Sequence, residues 1–273
     1  MLPKECIIYS DIDGTYLKSW DHDAYVGAPK NNIEAINSFV NEGGLFGSAS
    51  GREYTGILKC FEGVCINMPI VQNNGAIIYD HINHKIVDAA YFDKEEKEEL
   101  YNYAKKTQNV WLCASTLDVI WDVLLYDERD KGAFDLVRPK MTYDEYMNKD
   151  IAKTAFVVKK ELMSKVVEDS KQFYCYEKLN FLQSSPIYDE IVVEGIDKGK
   201  AIKKAVDYAK ANNRKLICIG DYYNDVSMLK EADIAVCPSN SPEDIKVMCD
   251  YVVASNDEGA LADLINRVLK EIN

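Results

Sequence analysis

Carboxylate side chains are grouped at two places in this sequence of 273 residues. The first group is Asp11 and Asp13, in a five-residue segment (Asp-Ile-Asp-Gly-Thr) that directly follows the apolar run at residues 6–10. Two carboxylates this close repel each other unless a proton or a cation lies between them. Mg²⁺, a hard cation with oxygen ligands, meets that need. Because Asp-Gly is also a common turn pair, a solvated acidic turn is the alternative.

The second group is Asp221, Asn224 and Asp225, which follow the apolar run at residues 216–219. An Asp or Asn before a helix caps its first amide groups, and this alternative explains one of the three residues better than all three. Side chains at the carboxyl ends of parallel strands face the crevice where α/β sheets bind ligands. Two acidic groups at two strand ends therefore favour a metal site over two unrelated turns.

Two further segments could bind an anion. Ser50 and Gly51 lie between a predicted strand and its helix, where a hydroxyl and free backbone amides bind anions; a plain serine N-cap is the alternative. Lys198 and Lys200 lie at the start of a later helix. A lysine there can neutralise a phosphate, although a lysine at a helix start is usually only solvated.

Short apolar runs alternate with segments of helical spacing at both ends of the chain. Near the start, the predicted strands cover residues 6–10, 45–49 and 70–72, and the predicted helices cover 31–40 and 53–61. The same alternation returns from residue 200 onward and ends in a helix predicted near residues 259–272. Alternating strands and helices predict an α/β fold with a Rossmann-like parallel sheet. These elements place the acidic groups at strand ends.

The middle of the chain has a different character. Between about residues 80 and 189 the density of charged and aromatic residues rises, and two helix-strand units appear. One has a predicted helix at residues 94–106 and strands at 110–114 and 119–126, and the other has a helix at 161–172 and strands at 154–158, 178–183 and 189–194. We interpret this region as a βαβ-type domain inserted into the first domain. The predicted domains are therefore a core of residues 1–79 plus 190–273 and an insertion of residues 80–189.

Charge and composition exclude several classes of partner. The net charge of −13 repels the phosphate backbone of nucleic acids and anionic membrane surfaces, so we expect neither as a partner. The eight cysteines include no C-x-x-C pair, which predicts a reducing, cytoplasmic location. No apolar run approaches the ~18 residues that span a bilayer. The sequence gives no indication of oligomeric state.

Taken in order, the segment around Asp11, then Ser50, Lys198 and the segment Gly220-Asp221-x-x-Asn224-Asp225 resemble the four motifs of the haloacid dehalogenase superfamily. The triplets Ser50-Gly51-Arg52 and Asn74-Gly75-Ala76, with the insertion after the third strand, resemble its Cof-type (type IIB cap) sugar-phosphatase branch. The resemblance covers the whole chain. It implies that the inserted α/β domain is a cap on the core domain.

The resemblance also implies catalytic and metal-binding roles. Asp11 is expected to be the nucleophile that forms an aspartyl-phosphate. Asp13 is expected to protonate the leaving oxygen and then to deprotonate the attacking water, while its backbone carbonyl binds the metal. With Asp11 and Asp13, Asp221 completes the expected Mg²⁺ ligands, and Asn224 and Asp225 complete or orient that set.

The remaining implied roles concern the phosphate. Ser50, Gly51 and Lys198 are expected to hold the phosphoryl oxygens. Lys198 is favoured over Lys200 because family members place the lysine immediately before the glycine. Arg52 and Asn74 are candidates for substrate binding.

The function predicted from these residues is Mg²⁺-dependent hydrolysis of a small organic phosphate monoester, a sugar phosphate, through an aspartyl-phosphate. One alternative is a phosphomutase, in which the same aspartate moves phosphate between positions. Another is a phosphometabolite-binding protein without activity. That alternative predicts the loss of Asp11, Asp13 or the second acidic group, and all of these are present.

Overall fold

The computed structural model describes residues 1–19, 27–125 and 138–271. The chain divides into two compact units. The first comprises Met1–Asp88 and Asp197–Asn273, and the second comprises Ala89–Ile196. Residues 80–88 thus belong to the first unit and residues 190–196 to the second, whereas the domain boundaries predicted from the sequence lie at residues 79/80 and 189/190.

The first part of the first unit alternates strands and helices, as the apolar pattern predicts. Its elements are β1 (Cys6–Ser10), α1 (Lys30–Asn41), β2 (Leu45–Ser48), α2 (Tyr54–Cys60), β3 (Ile70–Gln72), β4 (Ile77–Asp80) and β5 (Lys85–Ala89). All five residues of β1 are buried. Ile7 and Tyr9 pack in one apolar cluster and Cys6 and Ile8 in another, so β1 is covered on both faces, as is typical of a central parallel strand.

The second unit contains six strands and three α-helices among its described residues. They are α3 (Lys94–Lys106), β6 (Val110–Ser115), β7 (Ile120–Val123), β8 (Lys140–Met141), α4 (Tyr143–Asn148), β9 (Lys153–Val158), α5 (Met163–Ser170), β10 (Leu179–Gln183) and β11 (Tyr188–Val193). The strand predicted at residues 119–126 is observed as β7, and residue 126 lies outside the described part. Asp93 and Glu96 form a capping box that starts α3.

The chain then returns to the first unit. The elements are α6 (Lys198–Tyr208), β12 (Lys215–Ile219), α7 (Val226–Glu231), β13 (Ile234–Pro238), α8 (Glu243–Met248), β14 (Tyr251–Val253), α9 (Ala260–Asp263) and α10 (Leu269–Glu271). A π-helical turn at Leu264–Val268 joins α9 to α10. The terminal helix predicted at residues 259–272 corresponds to these last elements; residue 272 lies outside the described part.

The main sheet of the first unit is parallel, with the strand order β14-β13-β12-β1-β2. β1 pairs with β12 up to Ser10 and Ile219, so the residues that follow these two strands emerge side by side at one edge of the sheet. A bridge between Ala49 and Val71 adds β3 in parallel, and β3 continues into a second sheet of order β3-β4-β5. The predicted α/β core with a parallel sheet is confirmed.

The second unit is an α/β layer with the strand order β10-β11-β9-β6-β7-β8. Leu100 of α3 and Val166 of α5 pack in one apolar cluster with Leu112 and Phe156 of the sheet. Neighbouring strands are antiparallel, apart from the pair β7 and β8. The βαβ-type arrangement predicted for this region is therefore wrong in strand direction, since a βαβ unit joins parallel strands.

Within the described ranges, every helix is too short or too polar to cross a lipid bilayer.

Candidate active site

The two acidic groups meet at the carboxyl edge of the main sheet. The backbone amide of Asp11 donates to the carbonyl of Ile219 at 3.0 Å, which fixes the end of β1 beside the end of β12. Carboxylate oxygens of Asp11, Asp221 and Asp225 all lie within 4.8 Å of one another. Residues more than two hundred positions apart therefore form one cluster, because parallel strands end at the same edge.

Lys198 lies within this cluster. Its ammonium group donates to Oδ1 of Asp11 at 2.7 Å and to Oδ1 of Asp225 at 2.6 Å, and its side chain is fully buried. Lys200, the competing candidate, is 61 % exposed and pairs with Asp197. Asp197 caps α6 by accepting from the amide of Lys200. The helix start therefore directs Lys198 into the acidic cluster and leaves Lys200 at the surface.

Asp221 is held by the segment that follows β1. Its Oδ1 accepts from the Thr15 hydroxyl at 2.9 Å. Gly14 has a φ of +80°, and a Cβ atom added there would lie 2.4 Å from Oδ2 of Asp221. Only glycine combines this backbone conformation with such a close approach. The Asp-Gly-Thr sequence therefore positions the Asp221 carboxylate, through the Thr15 hydrogen bond and the close approach of Gly14.

The electrostatics of the cluster suit a divalent cation. Burial, reinforced by Asp225, raises the pKa of Asp11 well above its usual range, although Lys198 opposes this effect. Burial and the nearby Asp225 also raise the pKa of Asp221, to about 7. The cluster contains three carboxylates and one lysine, which bonds to Asp11 and Asp225, so negative charge remains when all three carboxylates are ionised. An all-oxygen set with excess negative charge fits Mg²⁺.

Asp225 differs from the other two carboxylates because the protein already uses both of its oxygens. Oδ1 accepts from Lys198, and Oδ2 accepts from the backbone amides of Asp221 and Tyr222 at 3.0 and 3.2 Å. These bonds orient the loop that carries Asp221. Asn224 is half-buried in the 3-10 turn Tyr223–Asp225. The arrangement agrees with the orienting role implied for Asp225.

The carboxylate of Asp13 lies outside the three-carboxylate cluster and pairs with Arg52. The guanidinium donates from Nε to Oδ2 at 2.7 Å and from Nη2 to Oδ1 at 2.6 Å. Such a bidentate fork fixes both the position and the plane of the carboxylate. The Asp13 side chain is 48 % exposed and that of Arg52 27 %, so the pair remains accessible from solvent. Sequence reasoning did not find this partner for Arg52.

Ser50 lies just after β2, on the side of the site that this strand forms. Its hydroxyl accepts from the amide of Arg52 at 3.2 Å, and the residue is only 1 % exposed. Glu53, not Ser50, is the N-cap of α2, so the plain serine N-cap is excluded. Gly51 is half-buried between Ser50 and Arg52.

Asn74 belongs to a tight turn that supports the same region. It adopts the left-handed conformation (φ 57°, ψ 27°) and donates from its amide to the carbonyl of Ser50 at 3.0 Å. The next residue, Gly75, has a φ of +101°, and a Cβ there would lie 2.4 Å from the carbonyl oxygen of Asp197. The turn therefore packs against the start of α6, where Lys198 begins the helix.

Two contacts of the site have no local signal in the sequence. The Asn240 side chain donates to the carbonyl of Gly14 at 2.9 Å and accepts from the amide of Asn256 at the same distance. Asn240 is 226 positions from Gly14, so only the fold brings them together. The contact of Thr15 with Asp221 could have been predicted from the sequence, because Thr15 belongs to the first motif.

Comparison with known proteins assigns the family. Residues 8–265 match the model of the haloacid dehalogenase-like hydrolases, and the chain belongs to that family. The predicted family and the predicted class of enzyme are confirmed.

Curated relatives match over nearly the whole chain. The chain is 24 % identical over 261 residues to the 5-amino-6-(5-phospho-D-ribitylamino)uracil phosphatase YcsE of Bacillus subtilis, covering 95 % of this chain and 94 % of the relative. It is 27 % identical over 278 residues to a putative phosphatase of Metamycoplasma hominis, covering 94 % of each.

Solved structures share the fold. The HAD subclass IIB sugar phosphatase BT4131 aligns with a TM-score of 0.74 and 20 % identity, over 96 % of this chain and 98 % of that one. A haloacid dehalogenase-like hydrolase of Bacteroides thetaiotaomicron aligns with a TM-score of 0.79 and 23 % identity over the same shares. These similarities agree with the predicted core and inserted α/β domain.

Proposed function

We propose that the protein is a Mg²⁺-dependent phosphatase that hydrolyses small organic phosphate monoesters through a phosphorylated Asp11. The observation that supports this most directly is the buried contact between Asp11 and Lys198, next to the Asp221 carboxylate. A lysine that neutralises a nucleophilic carboxylate beside further acidic oxygens suits phosphoryl transfer, which depends mainly on positioning and charge stabilisation.

In the first step, a carboxylate oxygen of Asp11 attacks phosphorus while the bond from phosphorus to the ester oxygen breaks. Asp13 gives its proton to the departing oxygen, so the leaving group departs as a neutral alcohol. Lys198 and the Ser50 hydroxyl offer donors to the phosphoryl oxygens. A Mg²⁺ ion held by Asp11, Asp221 and the Asp13 carbonyl would stabilise negative charge on the transferring group.

The fork between Arg52 and Asp13 has a consequence for this step. An ionised Asp13 accepts two hydrogen bonds from Arg52. When Asp13 carries the proton that it must donate, one of its oxygens becomes a hydroxyl, which is a weaker acceptor than a carboxylate oxygen. One N–H of Arg52 then becomes available, and a phosphate oxygen is a suitable acceptor. This supports a substrate-binding role for Arg52, which the sequence analysis names as a candidate.

In the second step, water attacks the phosphorus of the aspartyl-phosphate, and Asp13 accepts a proton from that water. The bond between phosphorus and the Asp11 oxygen breaks, which releases inorganic phosphate and restores the carboxylate. Asp13 ends the cycle protonated, ready for the next ester.

We also propose that the leaving group is polyhydroxylated, as in sugar phosphates. The relatives support this choice: the YcsE phosphatase is named for 5-amino-6-(5-phospho-D-ribitylamino)uracil, whose phosphate is on a ribityl group, and BT4131 is described as a sugar phosphatase.

The test is release of inorganic phosphate from a panel of sugar phosphates with Mg²⁺ or with EDTA. We expect activity with Mg²⁺ only, and loss of activity in Asp11→Asn. Asp207→Asn, at an exposed position on α6, is the matched control and should behave like the wild type. Activity that survives Asp11→Asn would overturn the proposal, and transfer of phosphate within the sugar without its release would indicate a phosphomutase.

A further inference from the structure

Two exposed aromatic side chains stand next to each other in the acidic loop after β12. Tyr222 and Tyr223 separate Asp221 from Asn224, and they are 41 % and 53 % exposed. Their ring centroids are 4.8 Å apart, at an interplanar angle of 65°. This edge-to-face arrangement is a favourable one for aromatic rings. Each ring therefore presents part of its apolar surface to solvent.

The loop holds this tyrosine pair in place before any ligand binds. The amide of Tyr222 donates to Oδ2 of Asp225 at 3.2 Å. The Tyr223 side chain is hydrogen-bonded to Asp244 of α8, and this bond raises the pKa of Tyr223. An aromatic surface that is already fixed loses little conformational entropy when a ligand stacks on it.

The tyrosine pair adjoins the proposed nucleophile within the same unit. Asp225 accepts from the Tyr222 amide and also from Lys198, and Lys198 donates to Asp11 at 2.7 Å. Three hydrogen bonds thus connect the backbone of Tyr222 to the nucleophile. In addition, Asp221, the residue before Tyr222, places a carboxylate oxygen within 4.8 Å of an Asp11 oxygen. A phosphate bound at Asp11 would therefore lie close to the backbone of this loop.

We propose that Tyr222 and Tyr223 form a stacking surface for a planar ring in the leaving group of the phosphate ester. This inference rests on the proposed function and narrows its substrate class to polyhydroxylated monoesters whose leaving group also carries an aromatic or heterocyclic ring. Every base or aromatic ring offers a π-face, so stacking recognises planarity and needs no specific hydrogen-bond pattern.

The experiment compares phenyl phosphate with glycerol phosphate, using the wild type, Tyr222→Leu and Tyr223→Leu. We expect each Leu variant to lose about fivefold in kcat/KM on phenyl phosphate, mainly through KM, and less than about twofold on glycerol phosphate, as the typical strength of an aromatic pair implies. Tyr222→Phe keeps the ring and should retain the preference.

Tyr208→Leu is the control on the same unit. Tyr208 is 38 % exposed and lies ten residues after Lys198 on α6, about 15 Å along the helix axis. This variant should leave both substrates unaffected. Equal losses on both esters, or no loss on either, would overturn the stacking surface while leaving the phosphatase intact.

Binding of phosphonates separates the two proposals further, because these compounds cannot be hydrolysed by cleavage of an ester. Phenylphosphonate should bind the Tyr222→Leu and Tyr223→Leu variants about fivefold more weakly than the wild type, on the same basis, and methylphosphonate should bind all three equally. If neither ester is hydrolysed, the proposed function fails, but phosphonate binding still tests the stacking surface. If the Leu variants bind phenylphosphonate as tightly as the wild type does, the stacking surface is overturned.

Discussion

At the scale of single residues, the clearest consequence of the structure concerns Lys198. It is the shared hydrogen-bond donor between Asp11 and Asp225, and all three side chains lie in the buried part of the site. Removing one partner of a buried ion pair leaves uncompensated charge, which typically costs about 3–5 kcal/mol.

We therefore expect Lys198→Met to abolish measurable phosphate release and to lower the free energy of unfolding by several kcal/mol, as typical buried pairs indicate. Chemical denaturation and a phosphate-release assay measure the two effects. Lys200→Met is the control, since Lys200 is 61 % exposed and pairs at the surface, where ion pairs contribute about 0–1 kcal/mol. Similar behaviour of the two variants would contradict the central position of Lys198.

The contributions of Asp13 and Arg52 to catalysis should be coupled. Because each holds the other through two short hydrogen bonds, removing both should cost little more than removing one. We expect Arg52→Ala to lower kcat/KM by roughly 100-fold, the lower end of the roughly 10²–10⁴-fold that a positioned acid-base group contributes. Arg52→Lys should restore part of this loss, because lysine supplies the charge without the fork.

A double-mutant cycle tests this coupling. Asp13→Asn, Arg52→Ala and the double variant are compared in kcat/KM, with Lys59→Ala as a control on the neighbouring helix α2. If the losses of the two single variants multiply in the double variant, the two residues act independently and the coupling is absent.

The sequence predicted which residues would converge better than it predicted their individual contacts. The meeting of Asp11 with Asp221 follows from strand ends in a parallel sheet, which the apolar pattern reveals. The fork between Arg52 and Asp13 depends on the rotamer of a long side chain across 39 positions, and the Asn240 contact depends on packing from the far end of the chain. Neither leaves a pattern in the local sequence.

At the scale of elements, the conformation of the segment that follows β1 depends on Gly14. Its left-handed backbone and its contact with Asp221 are two separate demands, and a matched glycine allows them to be distinguished. Gly63 has nearly the same φ, +79° against +80°, but a Cβ added there meets no described atom within 4 Å.

We expect Gly14→Ala and Gly63→Ala to cost a similar 1–2 kcal/mol of backbone strain. Only Gly14→Ala should also lose activity and weaken Mg²⁺ binding, because the added methyl group displaces the Asp221 carboxylate. Thermal unfolding, phosphate release and Mg²⁺ titration by calorimetry provide the three readouts. Full activity in Gly14→Ala would show that Asp221 need not occupy the position seen here.

Predicted elements agreed best with the structure where an apolar run or helical spacing is self-contained. β3 and α3 have the predicted bounds, residues 70–72 and 94–106. β8 and α4, which the sequence did not suggest, are two and six residues long, too short for a periodic pattern. The antiparallel order of the second unit was missed for two reasons. β6–β7 and β10–β11 are hairpins with short loops, and the apolar content of a strand does not encode its direction. The pairing of β9 with β6 and β11 is nonlocal and leaves no local signal.

At the scale of the whole molecule, each unit has its own apolar cluster, and the second unit contains an ionisable group that opposes its stability. Asp189 of β11 is 1 % exposed, and its Oδ2 has no hydrogen-bond partner among the described residues. Burial raises the pKa of Asp189 to about 7, with a smaller contribution from Glu190. In the unfolded chain an aspartate titrates near pH ~3.9.

Because the folded-state pKa is the higher one, the folded protein holds a proton that the unfolded chain has lost between these two values. The contribution of Asp189 to stability is thus fully present below about pH 4, falls as the pH rises toward 7, and is constant above it.

Asp189→Asn removes this pH dependence of stability. We expect the free energy of unfolding of the variant to rise above that of the wild type as the pH rises from 4 to 8, by on the order of a few kcal/mol at most. Denaturation at several pH values, with the exposed Asp118→Asn as control, measures the difference; a gain that does not vary with pH would show that Asp189 is ionised in the folded protein.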